Sequence, residues 1–447
     1  MRRRWLVLGL GALVLAGPSA GQQGSAGAPA AVHLSFGDAV KMATGQAAPV
    51  ELSGLATDEA RARVRQTRSV LLPSVTAGAA WVNRNFNLKS FGIPLNFPGV
   101  PTVVPSFNNY DARLTLNQTL FDFSSLGRVR ASEAQVRSTL AAGDATTESA
   151  AQVAALAYLR AARAQASIQA RQADSAIAAQ VLALAQAQQQ AGVSGTLDVT
   201  RAKTQVAVAA GALVLARNQF DQARIALARS LGVDPVKTQI TLDDTLSSEL
   251  GAAPVPTDLE AAVGQALDAR PELKAEQARG DAARVSRAAV SNELLPRVGL
   301  EADYGLNGIT WPNSFGTRQI AVAVSVPLLD GFRREGREAE QDAVIQESQV
   351  RQHDLRQQIA ADVSGALLDL HSAQAQESIA AEQLSLAADE LSQAEQRFKA
   401  GVAGSIEVID AQASMVRARD AVIDARYGAA AARVSLARAA GAARTLH

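Results

Sequence analysis

The sequence predicts a mainly α-helical protein with a membrane β-barrel, assembled from two tandem repeats. Three observations predict it. A glycine-flanked stretch occurs twice, as Ala191-Gly192-Val193-Ser194-Gly195-Thr196-Leu197-Asp198-Val199 and as Ala400-Gly401-Val402-Ala403-Gly404-Ser405-Ile406-Glu407-Val408. Each copy follows a very long proline-free segment, about 124–190 and about 332–399, and opens another. Four shorter segments alternate apolar and polar residues, two of them ahead of each long segment. Small residues and glycine stop a helix, because glycine takes φ > 0 without strain. Thr196 and Ser405 are then placed to cap the returning helices, with an acid two residues on beside the positive end. The two copies read as hairpin tips between long antiparallel helices.

Composition narrows the function classes. The chain has 447 residues, 43 basic and 43 acidic, and so carries no basic field for nucleic acid. It has no cysteine, hence no disulfide framework, thiolate metal site or lipid-anchor cysteine. The histidines His33, His353, His371 and His447 are scattered. His353 and His371 would lie ~27 Å apart along one helix, too far to share a metal. No metal and no cofactor are expected. No Ser/His/Asp set and no Gly-rich phosphate loop is present, so the sequence is not read as an enzyme.

Residues 1–20 read as a signal peptide, with Arg2, Arg3 and Arg4 before an apolar run from Trp5 to Ala16 and a Pro18-Ser19-Ala20 cleavage region. The run is short for a membrane span, and no later stretch is long enough. Residues 21–33 are expected to be a tether. The first repeat covers 34–232. It starts with a short helix at 34–47 and a longer one at 50–71, ended by Leu72-Pro73-Ser74. A strand is expected at 74–87, a proline-rich loop at 88–108 and a second strand at 109–120. In the latter, Tyr110, Ala112, Leu114 and Leu116 face one side and Asp111, Arg113, Thr115 and Asn117 the other.

After Leu120-Phe121-Asp122 the long helix begins. Its heptads carry Leu140, Thr147, Ala154, Ala161, Ile168, Ser175 and Leu182, with small residues three positions on, and Arg171 interrupts the seam. Such a seam lets helices approach closely. The tip at 191–197 leads into a helix over 196–231. Residues 233–257 form the linker, with a short strand at Thr238–Leu242.

The second repeat, 258–441, follows the same plan. It has strands at 298–307 and 318–328, the joint Leu328-Leu329-Asp330, a long helix and a tip at 400–406. The long-helix seam reads Val363, Leu370, Glu377, Leu384, Leu391 and Phe398, with Ala366, Ala373, Ala380, Ala387 and Ala394 beside it.

Four strands of about ten residues suit a membrane barrel, and Trp81, Tyr110, Tyr304 and Trp311 lie near strand–loop ends as an interfacial girdle would. Four strands do not close a barrel, and an open edge in lipid leaves backbone groups unpaired. Several chains must therefore share one barrel, and periodicity alone does not fix how many.

The Leu-Pro-Ser-Val and Leu-Phe-Asp joints, the duplication, and the tip pattern Gly401, Ser405, Glu407, Val408, Asp410, Ala411 together resemble the TolC-like outer-membrane factor family over about 34–441. The resemblance implies a homotrimer with a 12-stranded barrel in outer-membrane lipid, continued by a helical barrel across the periplasm. It implies an exit duct for efflux or type I secretion, working with a periplasmic adaptor and an inner-membrane pump of RND, ABC or MFS type.

It also implies a pore entrance at the tips. Asp198, Glu407 and Asp410 would be acidic groups there, with Phe398 in place of a gating aromatic. Ala403 stands where the family has a gate arginine, and Arg201 is the substitute considered for it. Gly192, Val193, Ser194, Gly195, Thr196, Gly401, Val402, Ala403, Gly404 and Ser405 would meet the adaptor. The competing reading is an exported coiled-coil spacer without a pore, which fits the heptads but not the alternating strands.

Overall fold

The computed structural model describes residues 30–87 and 102–447. The expected signal peptide, the first part of the tether and residues 88–101 of the loop lie outside the described residues. The chain begins with β1 (Ala30–Leu34), α1 (Phe36–Gln46) and α2 (Ala48–Ser69). Strands β2 (Ser74–Asn87) and β3 (Val103–Asp122) lead into α3 (Phe123–Gln190) and α4 (Thr196–Ser230). After β4 (Thr238–Leu242) come α5 (Leu259–Ala269), α6 (Pro271–Ser291), β5 (Arg297–Gly308) and β6 (Phe315–Ser325). The chain finishes with α7 (Arg333–Lys399) and α8 (Ser405–Ala439).

Several expected boundaries move, each for a local reason. Residues 30–34 are not tether: they pair in parallel with β4, from Ala30 opposite Thr238 to Leu34 opposite Leu242. This two-stranded sheet is pinned to α3 by Tyr158, which is fully buried and donates to the Leu34 carbonyl at 3.0 Å. The Phe36 ring meets the Tyr158 ring edge-on at 5.6 Å.

Strand β3 starts at Val103, earlier than expected, and contains Pro105. The β2–β3 register slips between Arg84 and Phe86, opposite the stretch that holds Pro105. A residue without an N–H is tolerated at such an irregularity. Strand β6 ends at Ser325 rather than at 328. Pro327 follows, cannot donate to a ladder, and leaves Leu328 and Leu329 outside the sheet. The two joints therefore differ. Asp122 is buried and caps α3, accepting from the Ser124 amide at 2.9 Å. At the second joint Gly331 and Phe332 both take positive φ, and Leu328, Leu329 and Phe332 are exposed.

Strands β2, β3, β5 and β6 form one antiparallel sheet in that order. Register sorts its faces. Trp81 lies opposite Tyr110, Leu114 between Ala77 and Tyr304, and Leu300 opposite Val322, which gathers apolar side chains on one face. Exposure there is high: Val75, Trp81, Leu114, Tyr304, Ile320, Val322 and Val324 are each more than half exposed in the single chain. The other face carries a polar cluster. Arg113 donates to Asp111 and, at 2.8 Å, to Asp303, while Asn307 donates to Asp111 at 2.8 Å. Gly305 makes this possible, since a Cβ there would fall 2.4 Å from the Arg113 Cβ.

The helices form two long hairpins, α3 with α4 and α7 with α8. One core joins α1, α3, α4, β4 and the end of α8, with Leu34, Phe36, Val40, Tyr158, Leu227 and Ile240 at its centre. Another joins α5, α6, α7 and α8 through Ala262, Leu273, Ile359 and Val363. Alanine dominates both, so the helix backbones come close. Among the described residues no helix is long and apolar enough to cross a membrane.

Candidate functional site

Both hairpins end in tips of the same build. Helix α3 ends at Gln190, and Gly192 at φ +76° lets the Gly192 and Val193 amides turn back to the carbonyls of Gln189 and Gln188. Helix α7 ends at Lys399, and Gly401 at φ +71° does the same toward Phe398 and Arg397. These are the carbonyl-satisfying turns that glycine permits. The expected caps are one residue out. Gly195 and Gly404 occupy the cap positions in extended conformation, and Thr196 and Ser405 are the first helical residues. Their hydroxyls are thereby free for other partners. Thr196 Oγ1 accepts from Gln189 at 3.3 Å, inside its own tip.

Ser405 reaches across to the other hairpin. It is fully buried, and its hydroxyl donates to the carboxylate of Asp198. Gln188 Nε2 donates to the Phe398 carbonyl at 2.7 Å, a second bond between the two tips. Val193 lies close to Gly401, where an added Cβ would sit 3.9 Å from the valine Cγ1. The tips thus form one compact body.

Beneath them lies a shared core of Val181, Ala185, Val199, Leu391, Phe398 and Val408. Phe398, only 2% exposed, is its largest member. The expected gating aromatic is therefore a packing residue within the single chain, holding both hairpins from inside.

The charged residues separate into paired and bare groups. Asp198 is held by Ser405, a partner that neither Ala403 nor Arg201 supplies. Glu407 pairs with Arg397, Nε to Oε2 at 3.1 Å, with both groups exposed. Arg397 and Glu407 stand equally far on either side of Val402, a symmetry by which the sequence could have disclosed the pair. Asp410 and Arg201 are exposed, and neither has an ion-pair partner among the described residues. The structure does not bring Arg201 to Asp410. Val193, Ser194, Val402 and Ala403 occupy the turns themselves, where Val193 and Val402 are 68% and 70% exposed.

Away from the tips the hairpins are held by charge. Arg163 of α3 lies 2.7 Å from Asp424 of α8. Arg171 pairs with Asp420, and Arg419 with Asp174. The arginine that interrupts the α3 heptads thus has a specific partner in the other hairpin.

At the opposite end, Trp81 is 62% and Trp311 52% exposed, and the Tyr110 and Trp311 rings lie 5.3 Å apart. Tyr304 sits deeper in the sheet, opposite Leu114 and Arg318. Among the described residues no group of acidic and histidine side chains is placed to hold a metal ion.

Long paired helical hairpins, closed at one end by tips and bearing at the other a sheet with one apolar and one polar face, define a membrane-anchored channel subunit. The sequence model of the family described as "Outer membrane efflux protein" matches residues 51–233 and 262–442. The chain belongs to that family, which is one of outer-membrane transport channels rather than of enzymes, and its place is the outer membrane with a periplasmic portion.

Among curated relatives, it is 29% identical over 382 residues to Protein CyaE of Bordetella pertussis, covering 83% of this chain and 76% of that one. It is 26% identical over 267 residues to the pyoverdine export outer membrane protein OpmQ of Pseudomonas putida, covering 58% of this chain and 55% of that protein. Among solved structures, CusC superposes with a TM-score of 0.76 at 18% identity over 91% of this chain and 92% of that one. The Campylobacter jejuni CmeC outer membrane channel gives 0.75 at 16% identity over 91% and 86%.

Proposed function

We propose that three copies of this chain form an exit duct: a 12-stranded barrel in the outer membrane, continued by a tube of twelve long helices that ends at the tips. The observation that carries the proposal is the sheet. Its four strands expose an apolar face, and β2 and β6 have no further strand partner among the described residues. Lipid does not satisfy such edges, so β6 of one copy must meet β2 of the next.

The duplication supports the same arrangement for the helices. Within one chain α3 of the first repeat packs on α6 and α8 of the second. By the repeat, α7 has α2 and α4 of the neighbouring copy as its counterparts. The exposed apolar residues lie where that requires: Val208, Val214 and Leu215 on α4, and Leu368, Ile379 and Leu386 on α7.

In this duct a periplasmic adaptor grips the exposed tips, and an inner-membrane pump of RND, ABC or MFS type delivers the substrate. The resting tip is closed by the core around Phe398 and by the Ser405–Asp198 bond. Contacts that the adaptor makes only with the open state shift the population toward it.

The test is the mass of the detergent-solubilised protein from outer-membrane fractions, together with its conductance in planar bilayers. A trimer with a low resting conductance is expected. A water-soluble monomer made without detergent, or a trimer that never conducts, overturns the proposal.

A further inference from the structure

A cavity of about 350 Å³ lies between the two hairpins, above the tip core. That falls in the range of small-molecule sites, roughly 300–1,000 Å³. Its wall is mainly aliphatic, from Ile177 of α3, Val208 and Ala209 of α4, Leu391 of α7 and Met415 of α8. Five polar side chains break this wall: Arg171, Asp174, Gln205, Gln412 and Arg417.

Gln412 is 5% exposed, and neither its amide nitrogen nor its amide oxygen has a hydrogen-bond partner in the chain. The Asp174 carboxylate is already engaged: its Oδ1 accepts from Arg419, and its Oδ2 lies 3.3 Å from Arg171 Nη1 in an ion pair. A buried donor or acceptor left unsatisfied costs stability, on the order of 1–3 kcal/mol. The cavity therefore presents one unpartnered amide, its donor and its acceptor side by side, in a mainly aliphatic wall.

Most of the charge around it is matched: Arg171 and Arg419 pair with Asp174 and Asp420 in the clasp that joins α3 to α8. Arg417, also in the wall, donates to the Ser414 hydroxyl.

We propose that this cavity is a binding site for an uncharged small molecule with an apolar body and a primary carboxamide or urea head. The head complements the orphaned groups in number and kind. Its carbonyl accepts from the Gln412 nitrogen, and one of its N–H groups donates to the Gln412 oxygen. The apolar body occupies the aliphatic wall. A carboxylate offers no donor to the Gln412 oxygen, and an alkylammonium offers no acceptor to its nitrogen. The site is distinct from the tip acids, and it does not depend on how the duct opens.

The experiment uses the full-length protein in detergent and 4-fluorobenzamide, observed by fluorine NMR. Its N,N-dimethyl derivative keeps the ring and the carbonyl but lacks both donors. Saturable binding of the amide is expected, with the dimethyl derivative at least tenfold weaker. Gln412→Met preserves the side-chain volume and should weaken the amide at least tenfold. Ala413→Trp, at a half-buried position on the wall, should fill the cavity and block entry. Binding that is absent, that persists unchanged in Ala413→Trp, or that is equal in Gln412→Met overturns the site. Conductance is recorded on the same preparation. A conducting trimer without amide binding refutes only the site, and saturable binding by a protein that never conducts refutes only the duct.

Discussion

At the scale of single residues the tips are held by a few identifiable contacts. Phe398 fills the core between the hairpins at 2% exposure, so Phe398→Ala should cost ~3–5 kcal/mol through the cavity it leaves. The expected outcome in planar bilayers is a higher resting conductance, and an unchanged one would show that the tip core does not close the pore. Ser405→Ala removes the hydroxyl that crosses to Asp198, at a cost of ~1–3 kcal/mol, and should also loosen the resting state, by a smaller amount.

A third residue acts far from the tips. Glu148 is buried beside Arg444, and burial pushes its carboxyl above the usual glutamate range. The folded chain thus holds a proton there at pH values where the unfolded chain has lost it. The stability that Glu148 contributes is fully present below the ordinary glutamate value and is lost as pH rises through the raised one. Thermal unfolding across that window should show the decline, and Glu148→Gln should flatten it. A decline equally steep in the variant would place its origin elsewhere.

At the scale of elements, small residues decide how closely the helices lie. Ala387 is 7% exposed in the α7–α8 hairpin, whereas Gln393 lies on the exposed side of the same helix. Ala387→Leu should cost ~1–3 kcal/mol by overpacking, and Gln393→Leu almost nothing. Equal thermal stability of the two variants would refute the register. Most of this register was legible in the sequence: Val363, Ala366, Ala380, Ala387, Leu391, Ala394 and Phe398 fall on the expected seam and are buried, while Leu370, Ala373, Glu377 and Leu384 of the same seam are only half-buried.

The α3 seam was legible only in part. Ala154 and Ala161 are buried, but Leu140 is 43% exposed. A straight helix drifts by ~20° per heptad against a 3.5-residue repeat, so one heptad register does not hold along its full length. Most strand ends were legible to within about three residues, but β3 begins well before its expected start, at Val103. Two of the misses have a proline nearby: Pro105 sits where the ladder slips, and Pro327 lies just past the last paired residue. The cross-hairpin bonds of Ser405, Gln188 and Arg171 could not be read at all. Each joins residues more than 200 positions apart, and no local pattern encodes such a pair.

At the scale of the whole molecule, the two ends of the chain face opposite demands in the proposed duct. On the sheet, Val322 lies on the apolar face of β6 and Thr115 on the polar face of β3. Val322→Arg should cost ~2–4 kcal/mol near mid-bilayer and reduce trimer yield, while Thr115→Arg should be mild. At the tips the demand is electrostatic. Glu407 is already matched by Arg397 across the turn, but Asp410 is exposed and has no cationic partner among the described residues. If three copies surround one axis, Asp410 contributes three unmatched carboxylates and Glu407 three that are largely offset. Asp410 should therefore dominate the attraction of cations to the entrance, which distinguishes it from a general acidic ring. The conductance of the trimer should be cation-selective, and a trivalent cation added at the periplasmic side should block it. Asp410→Asn should abolish the block. Glu407→Gln should leave most of it, and because it frees the Arg397 guanidinium it should also weaken cation selectivity slightly. If the block persists in Asp410→Asn but disappears in Glu407→Gln, the Arg397–Glu407 pair does not hold in the assembled duct and the entrance charge has been assigned to the wrong residue.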